Sequence, residues 1–482
     1  MDQTVEAAVD RVTSLQCEGQ TVEVKAARGG TPKLYETLSS FANQTEGGII
    51  LCGIDEGKGF APVGVFDAQK VQRDIVEQCK EMTPELRPTF ALAERDGAVI
   101  VGAIIEGLPM GRRPAYRTTA GITKGSYIRA GDQDIHMSPQ ELYEIEAFKN
   151  GTRSDRMIPE GSSADLLDNS KTAAFVSAAQ KNRMRLSERS QEEVLALTGA
   201  VVGGKPTLAG IMTLGDYPQQ EYPNLCLTAI AVAGPSISQD EVGNRFLDNK
   251  TMDGTIDEIV EDTMAFVARN TKTRSVIMGA IRKDVPQYPE RAIREIVTNS
   301  LMHRDYGPYN NGTPTRLTIY SDRIECSNPG GIYGGQSVEE LGVSNMQTRN
   351  PTLVSILEIQ GVAENRHSGI PVIRDECERA DLLPPVFEDR RGEFRVTVYG
   401  DASTREREGE GEPLSEEAVI AFCRIPRSRE EVAEHFDTSK AYVASYYLNP
   451  MADRGLLLRT LPDKPRSKNQ RYVATRRGQQ PG

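Results

Sequence analysis

The chain has 482 residues, of which 38% are hydrophobic and 26% are charged, and its formal net charge is −12. This length predicts three or four domains, and the composition is that of an ordinary globular protein. Because an acidic chain repels nucleic acid on average, the charge weighs against non-specific coating of DNA. Any nucleic-acid contact is expected at local basic patches.

Cysteine usage and hydropathy indicate the compartment. The seven cysteines form no CxxC pair, which argues against a zinc ribbon and against a disulfide framework, and free thiols suit a reducing compartment. The N-terminus lacks the basic and apolar regions of a signal peptide, and no stretch approaches the roughly 20 apolar residues that cross a bilayer. We therefore expect a cytoplasmic protein without membrane contact.

Residues 1–148 are predicted to form one α/β domain. Alternation predicts a strand at 21–25, helical spacing predicts a helix at 32–43, and the apolar run 48–54 predicts a buried strand. The remaining predicted elements are a helix at 71–82, paired strands at 90–93 and 98–105, a strand at 127–129 and a helix capped at Ser138.

Three short motifs follow one another in this domain. Glu23 and Lys25 lie on the first strand, Phe41-Ala42-Asn43 is followed by Gly47-Gly48, and Gly53-Ile54-Asp55 comes next. The paired glycines permit a tight turn into the buried strand. In their order and spacing the motifs resemble the Schlafen/AlbA-type nucleic-acid-binding domain over about residues 15–145.

This resemblance implies that the domain binds nucleic acid, with Lys25 and Arg129 as candidate phosphate contacts. Some Schlafen relatives are nucleases that use three acidic residues, and the matching positions here are Glu18, Glu23 and Asp55. In that alternative Glu23 and Asp55 hold a divalent metal ion. The other interpretation is that Glu23 and Lys25 form a structural ion pair.

The middle of the chain carries no chemical motif. Residues 149–165 are rich in Gly, Ser and Asp, which predicts a linker, and 166–284 are predicted to form a mixed α/β connecting region. Strands are predicted at 207–212 and 225–232, and a helix is predicted at 255–270.

Residues 285–400 contain the most informative run of the sequence. A helix is predicted at 289–302, followed by strands at 315–320, 323–327 and 393–399. On this helix Glu295 and Asn299 are four residues apart and share one face.

This pair, with the loop Asn328-Pro329-Gly330-Gly331 and the later Gly369, resembles the divergent GHKL-like ATP-binding domain. The resemblance implies ATP and Mg²⁺ as cofactors. Asn299 would hold Mg²⁺ on the phosphates, Glu295 would orient the attacking water in an ATPase, and the other nucleotide-binding positions would be Asn328, Gly330, Gly331 and Gly369.

The loop departs from the family pattern D-x-G-x-G, because no Asp stands in the expected place. With this departure, ATP binding is still expected, whereas ATP hydrolysis is less expected. His303-Arg304-Asp305 fits the spacing of a kinase catalytic loop, but the other kinase motifs are missing, so kinase activity is not expected.

The end of the chain is predicted to comprise a linker at 401–413, a winged helix at 414–475 and a disordered tail at 476–482. Three helices are predicted: one at 415–422, one from the capping box at Ser428 through Phe436, and one from Lys440 through Leu448. Strands are predicted at 455–460 and 471–473. Lys440 and Tyr442 are expected on the exposed face of the second helix of the helix-turn-helix. The wing offers three basic residues to phosphates, namely Lys464, Arg466 and Lys468. Pro450 should shorten or kink the recognition helix.

The expected fold is a multidomain α/β protein with a Schlafen/AlbA-like domain, a GHKL-like α/β sandwich and a winged helix-turn-helix. The expected function is that of a bacterial-type transcriptional regulator that responds to nucleotide and binds nucleic acid, with DNA favoured over RNA. A homo-oligomer, most simply a dimer, is expected because winged helices read paired half-sites. One alternative is a metal-dependent endoribonuclease acting on tRNA or other RNA in stress or phage defence. Another is an assembly scaffold with no affinity for nucleotide or nucleic acid.

Overall fold

The computed structural model describes residues 2–237, 246–278, 281–343, 347–363, 369–390, 392–400, 414–436, 438–461, 467 and 470–475. The chain divides into two units. One contains 1–152 together with 413–436 and 440–482, and the other contains 153–412 with 437–439. In the described parts of the chain, no helix is long and apolar enough to cross a membrane.

The first unit begins with an α/β domain. Its helices are α1 (Asp2–Leu15), α2 (Tyr35–Ala42), α3 (Ala68–Lys80), α4 (Gly121–Gly125) and α5 (Pro139–Lys149). Its strands are β1 (Val22–Lys25), β2 (Gly48–Cys52), β3 (Ile54–Asp55), β4 (Ala61–Pro62), β5 (Met82–Thr83), β6 (Thr89–Arg95), β7 (Ala98–Ile105), β8 (Tyr116–Arg117), β9 (Tyr127–Ala130) and β10 (Gln133–His136). The main sheet has the order β1-β2-β7-β6, in which only β1 and β2 are parallel.

Helices cover both faces of this sheet, which explains the continuous apolar run of β2. Ile50 and Cys52 pack into one core with α2 and α3, whereas Leu51 packs into a second core with α1. α1 lies in a segment for which no element is predicted, although Val5, Val9 and Val12 have helical spacing and are buried.

The turn into β2 requires glycine, as the sequence predicts. Gly47 has φ +67°, a backbone conformation that side chains rarely adopt, and a Cβ there would collide with the carbonyl oxygen of Ile105. The Gly47-Gly48 pair therefore fixes the register with which β2 enters the sheet between β1 and β7.

The second unit is built on a six-stranded sheet with the order β14-β13-β17-β18-β20-β19. Its helices are α6 (Asn169–Asn182), α7 (Gln191–Thr198), α8 (Leu208–Leu214), α9 (Ile256–Asn270), α10 (Glu290–His303), α11 (Pro351–Gln360) and α12 (Gly369–Arg379). Its strands are β11 (Val201–Val202), β12 (Lys205–Pro206), β13 (Leu227–Ala231), β14 (Asp248–Met252), β15 (Thr273–Met278), β16 (Ile281–Pro286), β17 (Thr315–Ile319), β18 (Arg323–Pro329), β19 (Val386–Arg390) and β20 (Glu393–Tyr399).

Two features of this unit differ from the predictions. β13 pairs in parallel with β17, so the ranges 166–284 and 285–400 share one sheet and one core. The strand predicted at 207–212 is wrong, because Thr207 caps a helix there by accepting the N–H of Gly210. All seven residues of α8 are buried, and such a short apolar run does not distinguish a strand from a buried helix.

The C-terminal part of the first unit has the element order expected for a winged helix. Its helices are α13 (Glu416–Phe422), α14 (Arg429–His435), α15 (Lys440–Val443) and α16 (Asn449–Asp453), and its strands are β21 (Arg427–Ser428), β22 (Leu457–Arg459) and β23 (Arg471–Ala474). The strands form an antiparallel sheet in the order β21-β23-β22. The capping box at Ser428 is confirmed.

Pro450 does not end the predicted recognition helix. The chain stays helical from Lys440 to Asp453, with a π-helical turn at Ala444–Leu448 directly before α16. A wider turn of this kind accommodates a residue that has no N–H to donate. The proline therefore changes the hydrogen-bond pattern of the helix without shortening it.

Candidate functional site

A cavity of about 200 Å³ lies in the second unit, beside strands β18 and β20 and helices α10 and α12. Most of its wall is apolar, which is typical of small-molecule sites. The apolar side chains that line it are Ile296, Met302, Ile332, Tyr333, Leu341, Val354, Ile370, Ile373, Phe394 and Val396.

The structure brings every predicted nucleotide-binding position to this cavity. These positions come from α10, from β18 and the loop after it, and from the start of α12, and they are Glu295, Asn299, Asn328, Gly330, Gly331 and Gly369. Residues that are far apart in the sequence thus converge on one pocket.

Glu295 and Asn299 form the polar corner of the pocket. The amide nitrogen of Asn299 donates to a carboxylate oxygen of Glu295 at 3.0 Å. Gly369 packs against this pair so closely that a Cβ would lie 2.9 Å from the Asn299 amide nitrogen and would collide with the Glu295 carboxylate. Because Gly369 is the first residue of α12, the positive end of that helix dipole lies beside the pair. Such a helix end favours an anion.

The glycine loop (Asn328-Pro329-Gly330-Gly331) contains two glycines because neighbouring side chains lie very close to its backbone. Gly330 has φ +89°, and a Cβ there would lie 2.7 Å from the Cβ of Asp305. A Cβ at Gly331 would collide with the carboxylate of Asp389. Asn328, at the end of β18, is only 5% exposed, and its amide nitrogen lies 3.3 Å from the carbonyl oxygen of Pro329. Glycine is therefore required at positions 330 and 331 by the protein groups packed against the loop.

Arg349 is a pocket residue that was not among the predicted site residues. Its guanidinium donates to the carbonyl oxygen of Gly331 at 2.6 Å and lies 3.5 Å from the carboxylate of Asp305. It also lies 5.4 Å from the ring centroid of Tyr333. The signal that could have identified it is the Arg349-Asn350-Pro351 sequence before α11.

His303, at the end of α10, is another pocket residue that was not among the predicted site residues. Its Nδ1 lies 3.4 Å from the hydroxyl of Thr348. Desolvation by the surrounding protein atoms, followed by the charge of Arg349, lowers the pKa of His303. At neutral pH the ring is therefore uncharged.

In the kinase-like triplet His303-Arg304-Asp305, the last two residues, Arg304 and Asp305, have structural roles. Arg304 is 1% exposed and donates to the carbonyl oxygens of Asn310 and Thr313 at 3.0 and 2.7 Å. Asp305 accepts the N–H of Gly307 at 2.7 Å. These bonds hold the turn that follows α10.

In the first unit, Arg129 lies among three carboxylates. Its guanidinium lies 2.7 Å from Glu23, 3.1 Å from Asp134 and 3.4 Å from Glu18. The side chain is only 1% exposed. The prediction that Arg129 contacts phosphate is therefore wrong, because the group is buried and its charge is already compensated. Lys25, the other predicted contact here, is paired with Glu23.

The metal site expected for the nuclease alternative is not formed. In the described parts of the chain, no group of three or more His, Cys, Asp or Glu side chains could hold a metal ion. Glu18 and Glu23 turn to Arg129 instead, and Glu18 also accepts the N–H of Val24 at 2.7 Å. Asp55 lies on the separate short ladder of β3 with β4. The third carboxylate at Arg129 is Asp134, which the motif spacing does not reveal.

The buried carboxylate of Glu18 predicts a pH effect on stability. Burial, followed by the charge of Glu23, raises the pKa of Glu18 from 4.5 to about 7. A carboxyl group with a raised pKa stabilises the fold in its protonated form, so its contribution is lost as pH rises from 4.5 to about 7. We expect Glu18→Gln to gain stability relative to the wild type across this window. Urea denaturation of both proteins at pH 4.5, 6 and 8 measures this, and a difference that does not change with pH would contradict it.

The predicted nucleic-acid contacts in the C-terminal segment differ in their surroundings. Lys440 is exposed and pairs with Glu430. Tyr442 is only 2% exposed and packs against Tyr446 at 5.0 Å between ring centroids, so the prediction that it faces a DNA groove is wrong. Lys464, Arg466 and Lys468 lie outside the described residues, as do residues 364–368 before Gly369.

Comparison with known proteins supports both domain assignments. Residues 18–138 match the family described as "Schlafen, AlbA_2", and residues 312–398 match the family described as "Putative ATP-dependent DNA helicase recG C-terminal". No curated protein matches the chain.

Four solved chains match this one, and two of them are the following. The DIP2311 protein from Corynebacterium diphtheriae is 16% identical, with 98% of this chain and 97% of that chain covered and a TM-score of 0.40. The N-terminal domain of a RecG-related protein from Nitrosomonas europaea is 30% identical, with 27% of this chain and 92% of that chain covered and a TM-score of 0.23. The chain therefore carries a segment of the Schlafen, AlbA_2 type at residues 18–138 and a segment of the recG C-terminal type at residues 312–398, which relates it to nucleic acid and to ATP.

Proposed function

We propose that this protein is a DNA-binding transcriptional regulator whose activity responds to an adenine nucleotide bound beside α10. The observation that carries the proposal is the convergence of Glu295, Asn299, Gly330 and Gly369 on one pocket with an apolar wall. Apolar surface suits a purine base, and a polar corner at a helix N-terminus suits phosphates.

The polar corner fits a magnesium ion bound to the nucleotide phosphates. The Asn299 amide nitrogen donates to Glu295, so the amide oxygen of Asn299 would be the atom that binds a cation. Amide and carboxylate oxygens are ligands that Mg²⁺ accepts, usually together with phosphates and water. A bound Mg²⁺ would neutralise phosphate charge, and the protein would add the N-terminus of α12 to the same task.

Nucleic-acid binding is assigned to the first unit. The Schlafen, AlbA_2 match lies there, and so does the C-terminal segment with the helix and strand order of a winged helix. We assign DNA reading to α15, the second helix of the helix-turn-helix, through Lys440, and phosphate contacts to the wing. The proposal includes a dimer that binds paired half-sites.

Fluorescence anisotropy tests the proposal. The full chain would be titrated into labelled duplex DNA and into labelled tRNA, each with and without ATP and Mg²⁺. We expect ATP to change the DNA affinity by about fivefold or more, which is the usual range of coupling between two sites. Equal DNA affinity with and without ATP would contradict the regulator. Metal-dependent cleavage of tRNA would support the nuclease alternative instead.

A separate prediction concerns how the wing affects the salt dependence of DNA binding. Changing Lys464, Arg466 and Lys468 together to Gln should weaken binding to every duplex and reduce the slope of log affinity against log salt by about 0.9 for each phosphate that is no longer neutralised. Anisotropy titrations between 50 and 200 mM salt, about the range in which counterion release dominates, measure the slope. A matched triple change at the exposed Lys181, Arg185 and Lys205 should leave the slope unchanged. Equal slopes for the two triple variants would exclude the wing from DNA binding.

A further inference from the structure

We infer that Asp155 ties the connector (residues 150–157) to the wall of the nucleotide pocket, so that nucleotide binding and the conformation of the connector are coupled. The connector follows α5, the helix that ends at Lys149 in the first unit, and residues 153–157 belong to the second unit. The coupling rests on the proposed nucleotide binding, whereas the anchoring by Asp155 does not.

Asp155 caps a helix that lies almost two hundred residues further along the chain. Its carboxylate accepts the N–H of Thr352 at 2.6 Å and the N–H of Leu353 at 3.1 Å. These are the second and third residues of α11, and Asn350, which precedes the helix, makes no side-chain cap of its own. A carboxylate satisfies free N–H groups at a helix start and interacts favourably with the dipole there.

The segment before α11 is part of the pocket. Thr348 and Arg349 line the cavity, and Arg349 donates to Gly331 in the glycine loop. Asn350 donates to the carbonyl oxygens of Met302 and Arg304 at 2.9 and 2.8 Å, at the end of α10. A ligand that touches α10 and the glycine loop therefore acts on the start of α11, and through it on Asp155.

The anchor is sensitive to small movements because Asp155 has few other partners. The side chain is fully buried, and its second carboxylate oxygen makes no hydrogen bond within the described structure. None of the salt bridges formed by the described residues includes Asp155. A buried carboxylate is costly unless its hydrogen bonds are kept, so a shift of α11 would weaken the hold of Asp155 on the connector, which is also tied by the bond from the N–H of Leu208 to the carbonyl oxygen of Met157.

Limited trypsin digestion tests this coupling, because Arg153 and Arg156 flank Asp155 and are exposed. In the wild type we expect ATP with Mg²⁺ to slow cleavage at these two arginines about fivefold, half of the effect occurring at the ATP concentration that half-saturates the pocket. Asp155→Ala should be cleaved faster without ATP, should lose the ATP dependence, and should bind ATP about fivefold more weakly, as loss of a helix cap predicts.

Two further variants separate the coupling from a general loss of stability. Asp155→Asn keeps an oxygen that accepts the α11 N–H groups, so it should retain part of the ATP dependence. Asp165→Asn makes the same charge change at an exposed position of the neighbouring segment and should behave as the wild type. A structural defect alone would speed cleavage in Asp155→Ala but would leave the ratio of rates with and without ATP unchanged.

The outcomes for the coupling and for the proposed function are distinct. If the wild type binds ATP in a fluorescence titration but is cleaved at the same rate with and without ATP, the coupling is overturned and the proposed function stands. If the wild type binds no ATP, the proposed function and the coupling both fail. Equal cleavage of Asp155→Ala and wild type without ATP would overturn the anchor itself.

Discussion

Replacing Asn299 by alanine is expected to weaken the binding of ATP with Mg²⁺ about 10- to 100-fold, as the loss of a hydrogen bond or ligand to a charged group predicts. The physical reason is that Asn299 shares the polar corner with Glu295 and with the first residue of α12. The side chain is only partly buried, so the fold should tolerate the change. Titration with a fluorescent N-methylanthraniloyl ATP analogue, followed by competition with ATP, measures the loss.

Asn249→Ala provides the matched control for this variant. Asn249 is an exposed asparagine on the edge strand β14 of the same sheet, and it does not line the pocket. Its affinity for ATP should equal that of the wild type. Equal affinities of Asn299→Ala and Asn249→Ala would show that ATP, if bound, lies elsewhere.

Replacing Arg129 by methionine is expected to destabilise the first domain by about 3–5 kcal/mol, the usual cost of removing one partner from a buried ion cluster. Methionine keeps most of the volume, but it leaves Glu18, Glu23 and Asp134 buried without their cation. Because burial raises the pKa of Glu18 to about 7, its protonation removes part of this repulsion, and the loss should shrink as the pH falls. Urea denaturation of the full chain, with hydrogen exchange of the β1 and β2 amides to report on this domain, measures the loss of stability.

Arg95→Met is the control for the buried cluster. Arg95 pairs with Asp10 at the surface, with side-chain exposures of 33% and 64%. Such an exposed pair adds little to stability because solvent and salt screen it. A loss of stability in Arg129→Met no larger than that in Arg95→Met would mean that the cluster does not hold the domain together.

Hydrophobic patterning predicts most elements of the fold because the apolar residues that face the core recur with the period of a helix or of a strand. The buried run 48–54 yields β2, and the spacing of 289–302 yields α10 almost to the residue. The error at α8 arises because a buried helix of seven residues has no polar face to reveal its period. The parallel pairing of β13 with β17 joins segments almost ninety residues apart, as the bond between Thr228 and Thr315 shows, and local patterns do not report such pairing.

The pocket positions could be predicted because their roles are local: two residues on one helix face, and glycines where the backbone must approach closely. The partners of Arg129 and the burial of Tyr442 could not be predicted in this way. A basic residue on a strand has the same sequence signature whether it faces phosphate or three buried carboxylates. Only the tertiary fold decides which carboxylates surround it. The same holds for Asp155, whose partners are the backbone N–H groups of a distant helix.

Photolabelling with 8-azido-ATP in the presence of Mg²⁺, followed by peptide mapping of the full chain, tests the central claim most directly. The base should lie against the apolar wall, so the label should appear in peptides that contain Asn328 to Tyr333 or Phe394 to Val396, and excess ATP should remove it. A label confined to residues 2–149, or one that excess ATP does not remove, would contradict nucleotide binding in this pocket.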